Sequence, residues 1–370
     1  MRCLPLVLFP LLIAAAPAQK INDTVIKKDG AKVRGVEVKE FLLTGVRGKR
    51  GGDDFEIPAH LVAGIEWSDL PEQFLAGRGA MERGDFRTAA QMFGDVQSDR
   101  ALVKADATFF QIKAAVASIG ADKGAAATAA DRAKAWLGAN PNHWRTPEAL
   151  LLCGRAQRLA GTGGEAATTL RELDDKAGRE GLGAVWSARA KSELALTLMA
   201  DGKAADARIS FQTAGSAIDN ALKSPSGDEA ELLALKTMAR VGEGETFLAE
   251  KDYARAETYF KGLTSDKQPA IAAAGHAGQG EAIFLVAVAK NDSDAIRRAQ
   301  LELARASVLD ASSGEASAKA NYYLGRCLLA LGADKEGDTF KQRANAYFQI
   351  VATSYASTRW AAVAKAEMAK

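Results

Sequence analysis

Residues 22–68 begin NDTVIKKDGAKVRGVEVKEF and close on IPAHLVAGIEW, and apolar positions such as Val33, Val36 and Val38 are interleaved with polar ones throughout. Alternation of this kind marks a strand with one buried face. Turn signals at Lys28-Asp29-Gly30 and Arg50-Gly51-Gly52-Asp53 divide the run, and a β-branched stretch around Ile65 ends it. The pattern predicts about five short strands.

From Pro71 onward the pattern changes. Only Pro71, Pro141, Pro147, Pro225 and Pro269 interrupt a region rich in Ala, Leu, Glu and Lys, which predicts long helices almost to the end of the chain. Within it, AEKDYARAETYFKGL (249–263) places Tyr253, Ala256, Phe260 and Leu263 three, four and three residues apart, one face of a helix that starts just after a tight turn. The spacing recurs. Gly84-Asp85-Phe86 is followed by Ala89 and Phe93, Gly154 and Gly161 by Ala166 and Leu170, Gly202 by Ala207 and Phe211, and Leu324-Gly325 by Ala344 and Phe348. A degenerate copy carries Ala129 and Pro141. The corresponding alanines, 89, 129, 166, 207, 256 and 344, are separated by 40, 37, 41, 49 and 88 residues; the last gap fits two units, the second being GEAIFLVAVAKNDSDAIRRAQLELARA.

These residues resemble the tetratricopeptide repeat family: Leu-Gly on a first helix, Gly-x-Tyr at the turn, then Ala and Phe on a second. The resemblance runs over residues 72–356 and is clearest around 77–97, 244–263 and 322–351. It implies a mainly α chain, a right-handed α-solenoid of about seven helical hairpins, each unable to bury its apolar face alone and so stacked on its neighbours. The closing YASTRWAAVAKAEMAK resembles the capping helix of envelope proteins with such repeats. Hairpin, long bent strand, Gly-rich turn and IPAHLVAGIEW in 22–68 resemble the small SH3-like or Sm-like barrels, in which a one-turn helix precedes the last strand. The expected organisation is therefore a leader at 1–18, a small β module at 19–70, and the solenoid with its cap at 71–370.

Composition narrows the function. A hydrophobic content of 48% with 25% charged residues is that of a folded chain, and a net charge of +2 removes the basic field that binding to phosphate backbones requires. MRCLPLVLFPLLIAAAPAQK has Arg2, an apolar run to Ala16 and a small-x-small site at Ala16-Pro17-Ala18, the signature of a secretory leader cleaved ahead of Gln19. No later segment reads as apolar enough to cross a bilayer. Cys153 and Cys327 both sit in apolar helical stretches and read as buried free thiols.

Catalytic and metal chemistry find no foothold in the pattern. His60, His143 and His276 are far apart and lack metal-ligand spacing, there is no Gly-x-Ser-x-Gly elbow, and the glycines at 161–164 and 275–280 lack the Lys-Ser/Thr that follows a phosphate loop. The basic run Arg47-Gly48-Lys49-Arg50 is offset by Asp53 and Asp54 and reads as a solvated hairpin tip. The tryptophans, Trp67, Trp136, Trp144, Trp186 and Trp360, are spread along the chain. No cofactor is expected.

The family resemblance carries the groove positions over to Arg78 and Glu82, Arg155 and Arg158, Met199, Glu245 and Leu248, and Tyr322 and Arg326. It implies that arginines at these solvent-facing positions grip carboxylates of a protein or peptide partner and that Tyr322 supplies an aromatic anchor. The expected function is a non-enzymatic, periplasmic or secreted scaffold. A carrier for a cell-wall glycan or another small ligand is the alternative, and an enzyme with an unrecognised site stands third. Mass spectrometry of the mature protein is expected to find Gln19 at the N-terminus, and an intact Met1 would overturn the assignment of export.

Overall fold

The computed structural model describes residues 21–120, 122–223, 228–309, 314–332, 337–356 and 358–369, so the expected leader lies outside the described residues. The alternating segment forms five strands: β1 (Asp23–Lys27), β2 (Lys32–Leu42), β3 (Gly45–Arg50), β4 (Asp53–Pro58) and β5 (Val62–Glu66). They make one antiparallel sheet in the order β4-β3-β2-β1-β5, with a single 3-10 turn at Ala59–Leu61 leading into β5. Val25, Val36, Val38, Val46, Ile57, Val62 and Ile65 are buried, as the alternation requires. The basic hairpin is neutralised across strands, Arg47 by Glu56 at 2.9 Å and Lys49 by Asp54 at 3.1 Å.

The sheet does not keep its core to itself. Its buried residues are continuous with Trp67, Phe74, Phe93, Val103 and Ala107 of the helical part. A buried carboxylate ties the two together. Asp23 at the start of β1 is fully buried and accepts bonds from the Val38 and Ser68 amides and from both terminal nitrogens of Arg100, at 3.0 and 2.6 Å. An ion so placed is stable only with its partners present, so the sheet's first strand is fixed to the start of the third helix.

Fifteen helices follow among the described residues: α1 (Glu72–Glu82), α2 (Phe86–Gly94), α3 (Ala101–Ser118), α4 (Lys123–Ala139), α5 (Thr146–Ala160), α6 (Gly163–Arg179), α7 (Ala184–Ala200), α8 (Ala204–Ala221), α9 (Glu229–Ala249), α10 (Tyr253–Leu263), α11 (Pro269–Lys290), α12 (Ser293–Leu309), α13 (Gly314–Leu331), α14 (Gly337–Ser354) and α15 (Arg359–Met368). Each packs on the next. In addition every odd-numbered helix from α3 to α13 packs on the following odd-numbered one, and no two even-numbered helices pack to a comparable extent among the described residues.

Five helix-to-helix turns share one geometry. Gly84, Gly161, Gly202, Lys251 and Asn291 all adopt left-handed φ, between 51° and 87°. In each case the next amide bonds back five residues (Asp85 to Ala80, Thr162 to Gln157, Lys203 to Leu198, Asp252 to Phe247, Asp292 to Ala287), which satisfies a carbonyl that the helix end would leave bare. Asp85, Asp252 and Asp292 then cap the following helix through their side chains. The stretch AEKDY uses Lys251 where two earlier turns use glycine two residues before Phe86 and before Ala204.

The recurring large residue fills a notch. A Cβ added to Gly77 would lie 2.9 Å from Phe93, at Gly154 2.7 Å from Leu170, at Gly244 2.4 Å from Phe260, at Gly280 2.6 Å from Leu303, and at Gly325 2.6 Å from Phe348. Phe260 is gripped from two sides, because Gly278 of α11 stands equally close at 2.5 Å. With Ala256 and Leu263 it is buried, and Tyr253 is only partly covered. The unit 280–306 is real as a helix pair, α11 and α12, with Gly280 and Leu303 in the notch.

Sequence reading finds no later segment apolar enough for a bilayer, but α11 has the length and the hydropathy, at 1.3. Its burial explains this: 67% of that window is covered, and the helix packs against α9, α10, α12 and α13. Among the described residues no other helix qualifies. Cys153 and Cys327 are buried free thiols, and burial pushes their pKa values up to about 11 and about 12.

Phe260→Ala is expected to cost about 3–5 kcal/mol in the region it anchors. Gly244→Ala should also destabilise in urea titration, although alanine favours helix by about 1 kcal/mol; a more stable Gly244→Ala protein would show that α9 and α10 do not approach this closely.

Candidate functional site

The link between α4 and α5 buries three consecutive side chains. Asn140 ends α4, with its side-chain amide on the Trp136 carbonyl at 2.9 Å, and Pro141 prevents the helix from continuing. The Arg145 amide donates to His143 Nδ1 at 3.0 Å, which folds the turn tightly and leaves the imidazole proton on Nε2. His143, Trp144 and Arg145 are 4%, 8% and 4% exposed, in a loop where charged and polar side chains ordinarily reach solvent.

Arg145 is held by Asp106 of α3, which is fully buried: Nε donates to Oδ1 at 2.7 Å, and Trp67 Nε1 at the end of the sheet donates to Oδ2 at 3.2 Å. The guanidinium lies over Phe109, Phe110 and Trp144 at 4.7, 4.7 and 4.1 Å. Sheet, α3 and α5 therefore meet on one carboxylate. His143 sits beside them between Phe41 and Trp136, and burial, with the neighbouring Arg145 charge, pushes its pKa down to about 3.

Over this junction opens a cleft of about 490 Å³, within the range of ligand sites in general. One wall is the sheet, with Lys28, Thr44, Pro58, His60 and Ala63. The other is helical, with Phe110 and Lys113 of α3, Trp144, Arg145, Pro147 and Glu148 around the start of α5, Trp186 and Arg189 of α7, and Glu231 of α9. The charges in it are paired across elements. Lys113 bonds Glu148 at 2.7 Å, Arg189 pairs with Glu231, and Lys28 in the β1–β2 turn reaches Asp228 ahead of α9 at 2.9 Å. Burial works against the ionised form of Glu148, but Lys113, Arg145 and Arg189 outweigh it and hold the carboxyl below the usual range.

The groove positions fall elsewhere and do not converge. Arg155 and Arg158 both turn onto Glu193 of α7, which is 3% exposed and receives Nε and Nη2 from each arginine. Arg326 bonds the Tyr322 hydroxyl at 3.0 Å and lies 3.5 Å from Glu367 of α15. Of the expected solvent-facing arginines, Arg155, Arg158 and Arg326 are thus already engaged with the chain's own carboxylates. Tyr322 is corrected from exposed anchor to buried residue, 4% exposed, because its ring packs among Tyr323, Phe348 and Trp360. Glu245 belongs to a third cluster: Lys319 of α13 pairs with it and with Glu281 of α11 at 2.5 Å, and Arg359 of α15 reaches it at 3.0 Å. Burial disfavours the Lys319 charge, and Glu245 and Glu281 restore it, holding the ammonium pKa above its ordinary value. Arg78, Met199 and Leu248 are partly covered and Glu82 is exposed, none in the cleft.

Asp106, Arg145, Trp144, Trp186 and Arg189 escape sequence reading. The available signal is NHWRTP, an aromatic and an arginine in a turn, where surface residues are the norm. The tryptophans are spread in sequence but not in space: Trp144 and Trp186 line one cleft, and Trp67, Trp136 and Trp144 surround His143 and Arg145. Among the described residues no group of three His, Cys, Asp or Glu side chains is placed to hold a metal ion. No protein-family model matches the chain, and no curated protein sequence matches it.

The depressed pKa of His143 has a sign in stability. The unfolded chain takes up a proton near pH 6.5 while the folded one resists to about pH 3, so folding loses free energy as pH falls through that window. Urea titrations at about pH 7 and about pH 5 are expected to show a smaller loss for His143→Phe than for the wild type; equal losses would mean that His143 is not buried neutral.

Proposed function

We propose that this chain is a non-enzymatic scaffold that binds a protein or peptide segment in the cleft between the sheet and the helices α3, α5 and α7. The helical region is read as a tetratricopeptide-like right-handed solenoid of about seven hairpins closed by α15, and the sheet as an SH3-like or Sm-like module. Support for the solenoid comes from the repeated left-handed turn, the glycine notch and the packing of odd-numbered helices on one another. The leader-like start supports a periplasmic or secreted site of action.

The observation that carries the binding role is the cleft itself. Five separate elements contribute to it, with ion pairs joining α3 to α5 and α7 to α9 along the helical wall and Lys28 of the sheet to Asp228 ahead of α9, and a site built from packed elements in this way has less to order on binding. A carrier for a glycan or other small ligand, the alternative, would use the same cleft, which Trp144 and Trp186 line beneath Arg145 and Arg189.

Ala63 lies exposed on the cleft wall, so Ala63→Trp should block the site without disturbing the core. Pull-down from a cell-envelope extract is expected to retain a partner on the wild-type chain and to lose it on Ala63→Trp. If that partner stays bound to Ala63→Trp and is lost only when Arg155, Arg158 and Arg326 are all replaced by Ala, binding belongs to the groove arginines and the cleft reading fails.

A further inference from the structure

Three of the groove positions read from the sequence, Glu245, Tyr322 and Arg326, are covered by one short helix, α15. Arg359 reaches Glu245 of α9 at 3.0 Å, and the Trp360 ring lies against Tyr322 and Tyr323 of α13 at centroid distances of 5.3 and 5.7 Å. Two turns further on, Glu367 accepts from the Tyr322 hydroxyl at 3.3 Å and lies 3.5 Å from Arg326. Apart from the cleft, we propose that α15 is a displaceable occupant of a second binding site, and that this site takes a helical segment of a partner protein bearing an aromatic residue and, seven positions later, a carboxylate.

α15 is held less firmly than the helices it rests on. It buries three of its ten residues, Trp360, Ala361 and Ala364, whereas α13 buries eleven of eighteen. Its N-cap, Thr358, makes no side-chain bond to the helix, and so short a helix is marginal without support. The indole N–H of Trp360 is buried without an acceptor, so the largest anchoring side chain docks with one hydrogen bond unmade. An element with so little burial opens ahead of the body it covers.

The surface beneath is joined by its own side chains. Lys319 of α13 pairs with Glu245 of α9 and, at 2.5 Å, with Glu281 of α11, to which Tyr323 also donates at 2.7 Å. When α15 leaves, these helices stay tied to one another and present the Tyr322 and Tyr323 rings beside the Arg326 guanidinium. Tyr322 dictates the form of the occupant, because its ring meets Trp360 and its hydroxyl meets Glu367. Seven residues rise about 10 Å in a helix and about 23 Å in a strand. Only a helix brings both groups to one tyrosine, and Ala361 and Ala364 between them let it lie close.

The probe is a labelled peptide of residues 358–369, TRWAAVAKAEMA, titrated onto the full chain. In the wild type the tethered α15 competes at a local concentration of about a millimolar, so weak binding is expected. Full-length Trp360→Ala loosens the tethered helix and is expected to bind the peptide at least about tenfold more tightly than wild type. Glu367→Ala should shift affinity in the same direction. Peptides carrying Trp360→Ala, Glu367→Lys or Ala364→Pro should lose the binding, the last because proline breaks the helix. In hydrogen exchange of the wild-type chain, α15 amides are expected to exchange faster than those of α11 and α13. Equal affinity of wild type and Trp360→Ala for the peptide, undiminished binding of the Ala364→Pro peptide, or α15 amides that exchange only together with those of α13 and α14 overturns the inference. If Trp360→Ala also loosens α13 or α14, the exchange pattern of the wild type decides alone.

Discussion

A single buried carboxylate, Asp106, decides where the sheet, α3 and α5 stand relative to one another. Removing an ion from water costs several kcal/mol, and only partners of good geometry offset it. Arg145 and Trp67 supply those partners from two other elements, at 2.7 and 3.2 Å. Because the guanidinium is planar, it also stacks on Phe109, Phe110 and Trp144 while its edge bonds the acid. The cleft inherits its floor from this arrangement. Asp23 repeats the device with Arg100 at the other edge of the junction, so two acids weld a sheet that shares its hydrophobic core with the helices.

Beyond the junction, the chain is built by one packing rule applied repeatedly. A glycine on one helix lets an aromatic or leucine of the next lie within contact distance of backbone, and a left-handed residue, followed in three of the five turns by an aspartate cap, returns the chain at the angle that brings the two together. Where the turn residue is Lys251 or Asn291 rather than glycine, the geometry is the same, and the backbone bonds that close the turn offset the less favourable φ. Phe260 shows why the rule propagates: fitted against Gly244 and Gly278, it belongs to two pairs of helices at once.

Several charged side chains that lie between the helices are paired with one another. Arg155 and Arg158 close on Glu193, Lys319 on Glu245 and Glu281, and the cleft cations on their own acids. The contacts of Lys113, Arg155, Arg158 and Lys319 join helices that are not neighbours in sequence, and so tie one helix pair to the next. The same pairing that gives rigidity removes the arginines as ready-made carboxylate receptors.

The sequence by itself determined the secondary structure and much of the repeat. Alternation at Val36 and Val38 means one face of a strand, and the spacing of Ala256, Phe260 and Leu263 means one face of a helix, because both periods are properties of the local backbone. The glycines at 84 and 202 likewise announce a turn wherever they sit. Even the hidden pair at 280–306 was legible from spacing alone. What only the tertiary structure decided is which charge meets which, and therefore where the candidate cleft lies. Asp106 and Arg145 are 39 residues apart and Lys28 and Asp228 are 200 apart; no periodicity couples positions at such distances, since contact between them depends on how every intervening helix is stacked. For the same reason Tyr322 and the groove arginines looked free, and tryptophans scattered along the chain came to share one cleft.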